Sequence, residues 1–237
     1  MSSPPLLALH GNLGSVQDWE SLHFPNLNAV DLWEHAELDF FEMAHRLATD
    51  LSAGMERPII VGYSLGGRLA LHAMAIHPER WGGAIILSAH PGLKSGEERQ
   101  ARRISDHEWA RKARDLRWED FLAEWNDQGV LANSPASPSQ LALASKRSGI
   151  ALAFETWSLG RQENLRSQLR RFHAPVLWIV GENDPKFTAL AGEMADVFPK
   201  FEQVTISGAG HRVLGHGETR SSIRDWISKL SIDGDYG

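Results

Sequence analysis

Ile59-Ile60-Val61-Gly62-Tyr63-Ser64-Leu65-Gly66-Gly67 decides the fold. Three consecutive large apolar residues read as a strand buried on both faces, and the glycine after them stops it. From Leu65 to Ile76 the apolar residues recur at helical spacing, and Pro78 follows. Between strand and helix stands G-x-S-x-G, in the strand–turn–helix context that a nucleophile elbow requires. Small residues at 62 and 66 permit a sharp turn, which lifts the Ser64 side chain above the sheet. The N–H of Leu65 then lies at a helix N-terminus, where it can stabilise a developing negative charge.

Similar short apolar runs flank this unit: Leu6–Leu9, Ala29–Leu32, Ala84–Leu87, Val176–Val180 and Val204–Ile206. Helical periodicity separates them, at 40–53 (Phe40, Phe41, Ala44, Leu47, Ala48, Leu51), around Leu190, Met194 and Val197, and in the closing stretch with Ile223, Trp226, Ile227 and Leu230. Apolar strands alternating with helices predict a doubly wound, mostly parallel α/β sheet covered on both faces. Residues 94–172 break this rhythm. They hold no clear strand and are rich in Trp, Arg and charge, with helical patterns at Trp109, Ala113 and Leu116, at Phe121, Leu122 and Trp125, and at Leu152, Trp157 and Leu159; Asn133–Pro138 reads as a loop. The expectation is a helical lid, 94–172, inserted between two parts of one core, 1–93 and 173–237.

The composition narrows the chemistry. Over 237 residues, 42% are hydrophobic and 23% charged, which fits a folded globular chain. With no cysteine, disulfides, thiolate metal sites and a thiol nucleophile are excluded. The net charge of −6 disfavours general nucleic-acid binding. No apolar run approaches the length of a membrane span. The opening Met1-Ser2-Ser3-Pro4-Pro5 lacks the basic and apolar regions of a signal peptide, so a cytoplasmic protein is expected. His72 and His77 are off helical register for a shared metal, and no G-x-G-x-x-G or P-loop occurs, so neither metal nor cofactor is expected. Of 24 basic residues 18 are Arg, and residues 94–118 hold eight Lys/Arg against five Asp/Glu. Arg binds carboxylates through two parallel hydrogen bonds. A basic lid on an acidic chain points to a small anionic substrate.

Three further segments complete a catalytic pattern. His10-Gly11-Asn12-Leu13-Gly14 follows the first strand, and its glycine-rich turn can aim the N–H of Asn12 at the same point as that of Leu65, forming an oxyanion hole. Gly181-Glu182-Asn183-Asp184 follows the strand at 176–180 and supplies an acid, Asp184 in preference to Glu182. Ser207-Gly208-Ala209-Gly210-His211 follows the strand at 204–206 and supplies His211, with His216 one turn later and expected in solvent. The order Ser64, Asp184, His211 is that of a triad at the carboxyl edge of such a sheet. His211 would take the proton of Ser64, and Asp184 would hold the imidazole tautomer.

With these pieces in place the chain resembles the α/β-hydrolase superfamily, and within it the 2-succinyl-6-hydroxy-2,4-cyclohexadiene-1-carboxylate synthases of menaquinone biosynthesis. The matching segments are Leu9–Ser15 with Trp19; Gly62–Arg68; His90-Pro91-Gly92-Leu93; Glu98-Arg99 with Arg102 and Asp106; Phe121–Trp125; Lys146–Gly149; and Gly181–Asp184 with Lys186-Phe187. The resemblance implies an α/β-hydrolase fold and a lyase that eliminates pyruvate from an enolpyruvyl substrate bearing three carboxylates, with no acyl-enzyme. It implies Tyr63, Arg68, Arg102, Trp125 and Arg147 as substrate-binding residues. Arg68, four residues after Ser64, shares its face of the helix. The chain departs from the family pattern in Leu87-Ser88, in Ala153–Leu159, and in Arg212, where His-Asn is common. A hydrolase of a small acid on the same scaffold is the alternative activity, and a non-catalytic ligand receptor is the third reading.

Overall fold

The computed structural model describes residues 3–131 and 134–232; Met1, Ser2 and Asn133 of the segments quoted above lie outside them. Six strands form one sheet: β1 Leu6–Leu9, β2 Leu27–Val30, β3 Ile59–Tyr63, β4 Gly83–Leu87, β5 Val176–Gly181 and β6 Phe201–Ile206. Their order is β2-β1-β3-β4-β5-β6 and every neighbouring pair is parallel. The continuous apolar runs are explained by the two layers they touch. Leu7, Leu9, Ile60, Ile86, Trp178 and Val180 face one core with helices α1 (Phe40–Ala48) and α2 (Leu65–Ile76). Their chain neighbours Leu6, Ala8, Ile59, Val61, Ile85, Leu87, Leu177 and Ile179 face a second core with Trp19, Leu22 and the closing helix. Side chains alternate across a strand, so both layers need apolar residues at every position.

Several boundaries differ from the periodicity: the last strand begins at Phe201, and Val197 and Trp157 lie past the ends of their helices. The helix expected over 40–53 ends at Ala48, where Thr49 turns its hydroxyl back onto the carbonyl of His45, and a turn with Gly54 at φ 75° follows. Leu51 packs from that turn and not from the helix, although its spacing is helical. The run at 29–32 gives up its last residues to a short 3-10 turn, Leu32–Glu34, capped by Asp31.

Between β4 and β5 the chain forms α3 (Gly96–Asp115), α4 (Trp118–Asn126), α5 (Arg147–Thr156) and α6 (Arg166–Leu169), with no strand among the described residues. Ser95 starts α3 with a capping box to Glu98. The insert has its own aromatic centre. Trp109 meets Trp125 edge-on at 5.1 Å, and Trp125 meets Phe154 at 5.2 Å. The core resumes with α7 (Pro185–Met194) and ends in α8 (Gly217–Ile232). No helix among the described residues is long and apolar enough to cross a membrane.

Candidate active site

Ser64 sits at the carboxyl end of β3 with φ 51° and ψ −105°, a left-handed strain that the tight strand–helix turn imposes. Glycine is required beside it. A Cβ on Gly66 would lie 2.0 Å from the carbonyl oxygen of Leu9, and one on Gly62 would lie 2.5 Å from that of Gly66. The elbow is therefore held against β1, with Gly66 N–H donating to His10 at 3.0 Å.

Asp184 and His211 meet because their two loops are stitched together. Glu182 N–H donates to the carbonyl of Ile206, Asn183 N–H to that of Ala209, and Gly208 N–H to the carboxylate of Glu182. Gly181 allows the close pass, since a Cβ there would fall 2.1 Å from the carbonyl of Gly210. Glu182, the alternative acid, is spent on this stitching. Asp184 caps α7 with one oxygen and takes His211 Nδ1–H with the other at 2.8 Å. An ionised carboxylate only accepts, so the His211 proton sits on Nδ1 and Nε2 faces the Ser64 hydroxyl at 3.1 Å. Asp184 and His211 are each 5% exposed. Phe187 packs on the imidazole at 4.5 Å and Tyr63 at 5.8 Å.

The loop after β1 is pinned around this point. His10 donates from Nδ1 to Gly11 and accepts from Leu32 N–H, Gly14 N–H returns to Gly11, and the Trp33 indole donates to Gly14 at 2.9 Å. Neither Asn12 N–H nor Leu65 N–H donates to an acceptor among the described residues. Leu65 opens α2, whose first N–H groups have no intrahelical partner.

Above Ser64 lies a cavity of about 840 Å³, lined by core and insert together. Asn12, Tyr63, Ser64, Arg68, Arg102, Trp125 and His211 of the expected site line it. Arg68 is 6% exposed, and one of its nitrogens donates to the carbonyl of Trp157 at 2.9 Å and to Gln162 at 3.4 Å. No carboxylate of the described residues comes within 4 Å of it. Burial, with Arg102 nearby, pulls the guanidinium down to about 9. Arg102 is held by Asp106, which takes its Nε–H at 2.8 Å and the Ser158 hydroxyl at 2.7 Å. Burial raises the Tyr63 phenol well above its ordinary range.

Two expectations are corrected. Arg147 is not among the residues that line the cavity. Its guanidinium turns under α3 and donates to the carbonyls of Ala113 and Leu116, over the ring of Trp118 at 5.6 Å. The C-terminal carbonyls of a helix attract a cation, and Arg147 meets two of them. His216 is half-buried and lines the cavity instead of lying in solvent. The structure also brings in residues that had no role in the sequence pattern. His90, Lys186 and Arg212 line the cavity, and so does Ser88, whose buried hydroxyl has no partner among the described residues. His90 accepts Gly92 N–H on Nδ1, while burial and the cations around it hold its pKa down to about 3. A neutral imidazole accepting on Nδ1 carries its proton on Nε2. The Pro-Gly-Leu motif was a signal for this turn, because Gly92 takes φ 109°. Among the described residues no three His, Asp or Glu side chains cluster as metal ligands.

Residues 6–220 match the Alpha/beta hydrolase family. The 2-succinyl-6-hydroxy-2,4-cyclohexadiene-1-carboxylate synthase of Citrobacter koseri is 32% identical over 96% of this chain and 94% of its own. That of Pectobacterium atrosepticum is 34% identical over 80% and 81%. Among solved structures, MenH from S. aureus superposes with a TM-score of 0.84 at 23% identity, covering 98% of this chain and 96% of its own. A thermophilic esterase from Thermogutta terrifontis gives 0.73 at 20%, covering 97% and 91%; these two likenesses speak for the fold. Sheet order, elbow and sequence likeness over almost the whole length agree that the chain belongs to the α/β-hydrolase family and, within it, to the family of the 2-succinyl-6-hydroxy-2,4-cyclohexadiene-1-carboxylate synthases.

Proposed function

We propose that the protein is a carbon–oxygen lyase, working without a cofactor, that eliminates pyruvate from 2-succinyl-5-enolpyruvyl-6-hydroxy-3-cyclohexene-1-carboxylate in menaquinone biosynthesis. The observation that carries this reading is Arg68: a buried guanidinium with no carboxylate partner among the described residues, facing the cavity one helical turn from Ser64. Burying a cation costs free energy unless an anion completes it. The substrate has three carboxylates to offer.

Ser64, made basic by His211, removes the proton at C2, α to the succinyl carbonyl. Negative charge builds on that carbonyl oxygen, and the N–H groups of Asn12 and Leu65 receive it, holding an enolate where a hydrolase would hold a tetrahedral adduct. The electron pair then moves through the ring. C2=C3 and C4=C5 form as the C3=C4 π bond and the C5–O bond break, and the leaving enolpyruvate accepts the proton held by His211 and becomes pyruvate. Asp184 keeps His211 in the tautomer that accepts the serine proton. Arg68 and Arg102 neutralise carboxylates, with Tyr63 and Trp125 as apolar walls. The inserted segment 94–172 acts as the lid between core parts 1–93 and 173–237. The protein works in the cytoplasm on a small anionic molecule, without nucleic acid or membrane.

The test is pyruvate release from the enolpyruvyl substrate by purified protein, with Ser64→Ala expected to abolish it. Fast cleavage of simple acyl esters without pyruvate release would replace the lyase by a hydrolase. Tight binding of the substrate with no turnover of any kind would point to a receptor.

A further inference from the structure

Resting on the reading above, the geometry points to Arg212 as a further substrate-binding cation of this cavity, filling the role that Arg147 leaves vacant. A substrate with three carboxylates meets two of the expected arginines, Arg68 and Arg102, while Arg147 is committed to the end of α3. Arg212 follows His211 directly and lines the same cavity. One of its terminal nitrogens donates to the carbonyl of Ser134 at 2.7 Å and the other to the side chain of Asn126 on α4. Guanidinium carries five N–H donors, so these two bonds leave three for an anion. No carboxylate of the described residues lies within 4 Å of Arg212. Asp18, which also lines the cavity, is occupied by Ser15 N–H and by the hydroxyls of Ser137 and Ser139.

The arrangement orients the guanidinium before substrate arrives. Asn126 and the 134 carbonyl hold it from the insert, while its backbone belongs to the His211 loop. A carboxylate caught there bridges lid and core beside the triad. The cation is thus supplied from the core side of the cavity, whereas Arg147 would have supplied it from α5. Lys186, exposed at the same cavity, adds charge without the planar fork that two-point recognition needs.

Two readouts test this. The first is steady-state pyruvate release. The second is the dissociation constant of tricarballylate, a tricarboxylate probe, by titration calorimetry, which needs no turnover. Arg212→Gln is expected to weaken tricarballylate and to raise KM by about tenfold or more, the usual loss for a charged hydrogen bond. Arg212→Lys should fall between it and the parent. Asn126→Ala, which removes the tether and keeps the cation, should weaken both readouts by clearly less than Arg212→Gln does. If Arg212→Gln leaves both readouts within about twofold, the inference is overturned. The same holds if Asn126→Ala matches Arg212→Gln, because tethering would then be the whole role, or if Arg212→Lys is as weak as Arg212→Gln. If the parent protein releases no pyruvate but Arg212→Gln still weakens tricarballylate, the lyase reading falls and the cation site stands.

Discussion

The elbow at 59–67 and the insert at 94–172 solve different problems. The elbow is held by backbone. Ser64 is strained, Gly62 and Gly66 sit where a Cβ would strike a carbonyl oxygen, and the β-sheet register fixes everything around them. The insert leans more on side chains, though a Cβ on Gly160 would also fall 2.2 Å from the carbonyl oxygen of Arg99. Only Asp106, Ala110 and Ala113 are buried along the twenty residues of α3, and the contacts that matter are aromatic edges and arginine forks. Catalytic geometry is thus built where the chain has no freedom, and recognition where side chains choose among several partners.

The sharpest way to break this contrast is at the triad. Asp184→Asn keeps the shape but leaves His211 in the wrong tautomer, and kcat for pyruvate release should fall by about 10³-fold or more. An activity within tenfold of the parent would remove the triad from the mechanism. Next comes the backbone itself. Gly66→Ala must move the chain of β1, so a loss of about 3 kcal/mol or more in denaturant unfolding is expected. A variant as stable as the parent would show that the elbow is not fixed by close approach.

Arg68→Met should act on substrate and not on the fold. We expect kcat/KM to drop by about 1.5–3 kcal/mol of transition-state binding, with stability equal or higher, because an unpaired buried cation is removed. A destabilised protein with unchanged kinetics would make Arg68 a packing residue. Acid should then weaken the protein through two rings near this cation. His72 and His90 ordinarily titrate near 6.5, but burial and neighbouring cations lower both to about 3. The unfolded chain therefore takes up protons that the folded one refuses. Stability is full above pH 6.5 and is lost as pH falls from there towards 3, by about 1.4 kcal/mol per unit for each ring. His72→Leu should remove its share of that slope between pH 6 and 5, and an unaltered slope would count against it. The smallest effect is expected at Arg147. Arg147→Met loses two carbonyl partners, costing about 1 kcal/mol of stability, with kcat/KM within about threefold. A large kinetic loss there would return Arg147 to the binding site.

Some of this was legible in advance and some was not. Ser64, Asp184 and His211 could be picked out because each stands in a loop directly after an apolar strand run, and parallel strands deliver such loops to one edge. The helical spacing over 40–53 overruns the helix itself, since Leu51 keeps that spacing in a turn. Among the arginines, spacing put Arg68 on the helix face of Ser64, and it lines the cavity; Arg147, expected from the resemblance alone, does not line it, and Arg212 does.

By itself the sequence determined the strands, the elbow and the order of the three polar residues. Those features follow from local rules: glycine where no Cβ fits, apolar runs where both faces are covered, and chain order. Which cations face the cavity was decided only in the tertiary structure. A long arginine side chain reaches several neighbours, and the packing of α3, α4 and α5 sets whether a helix-end carbonyl, a tether or an anion lies closest.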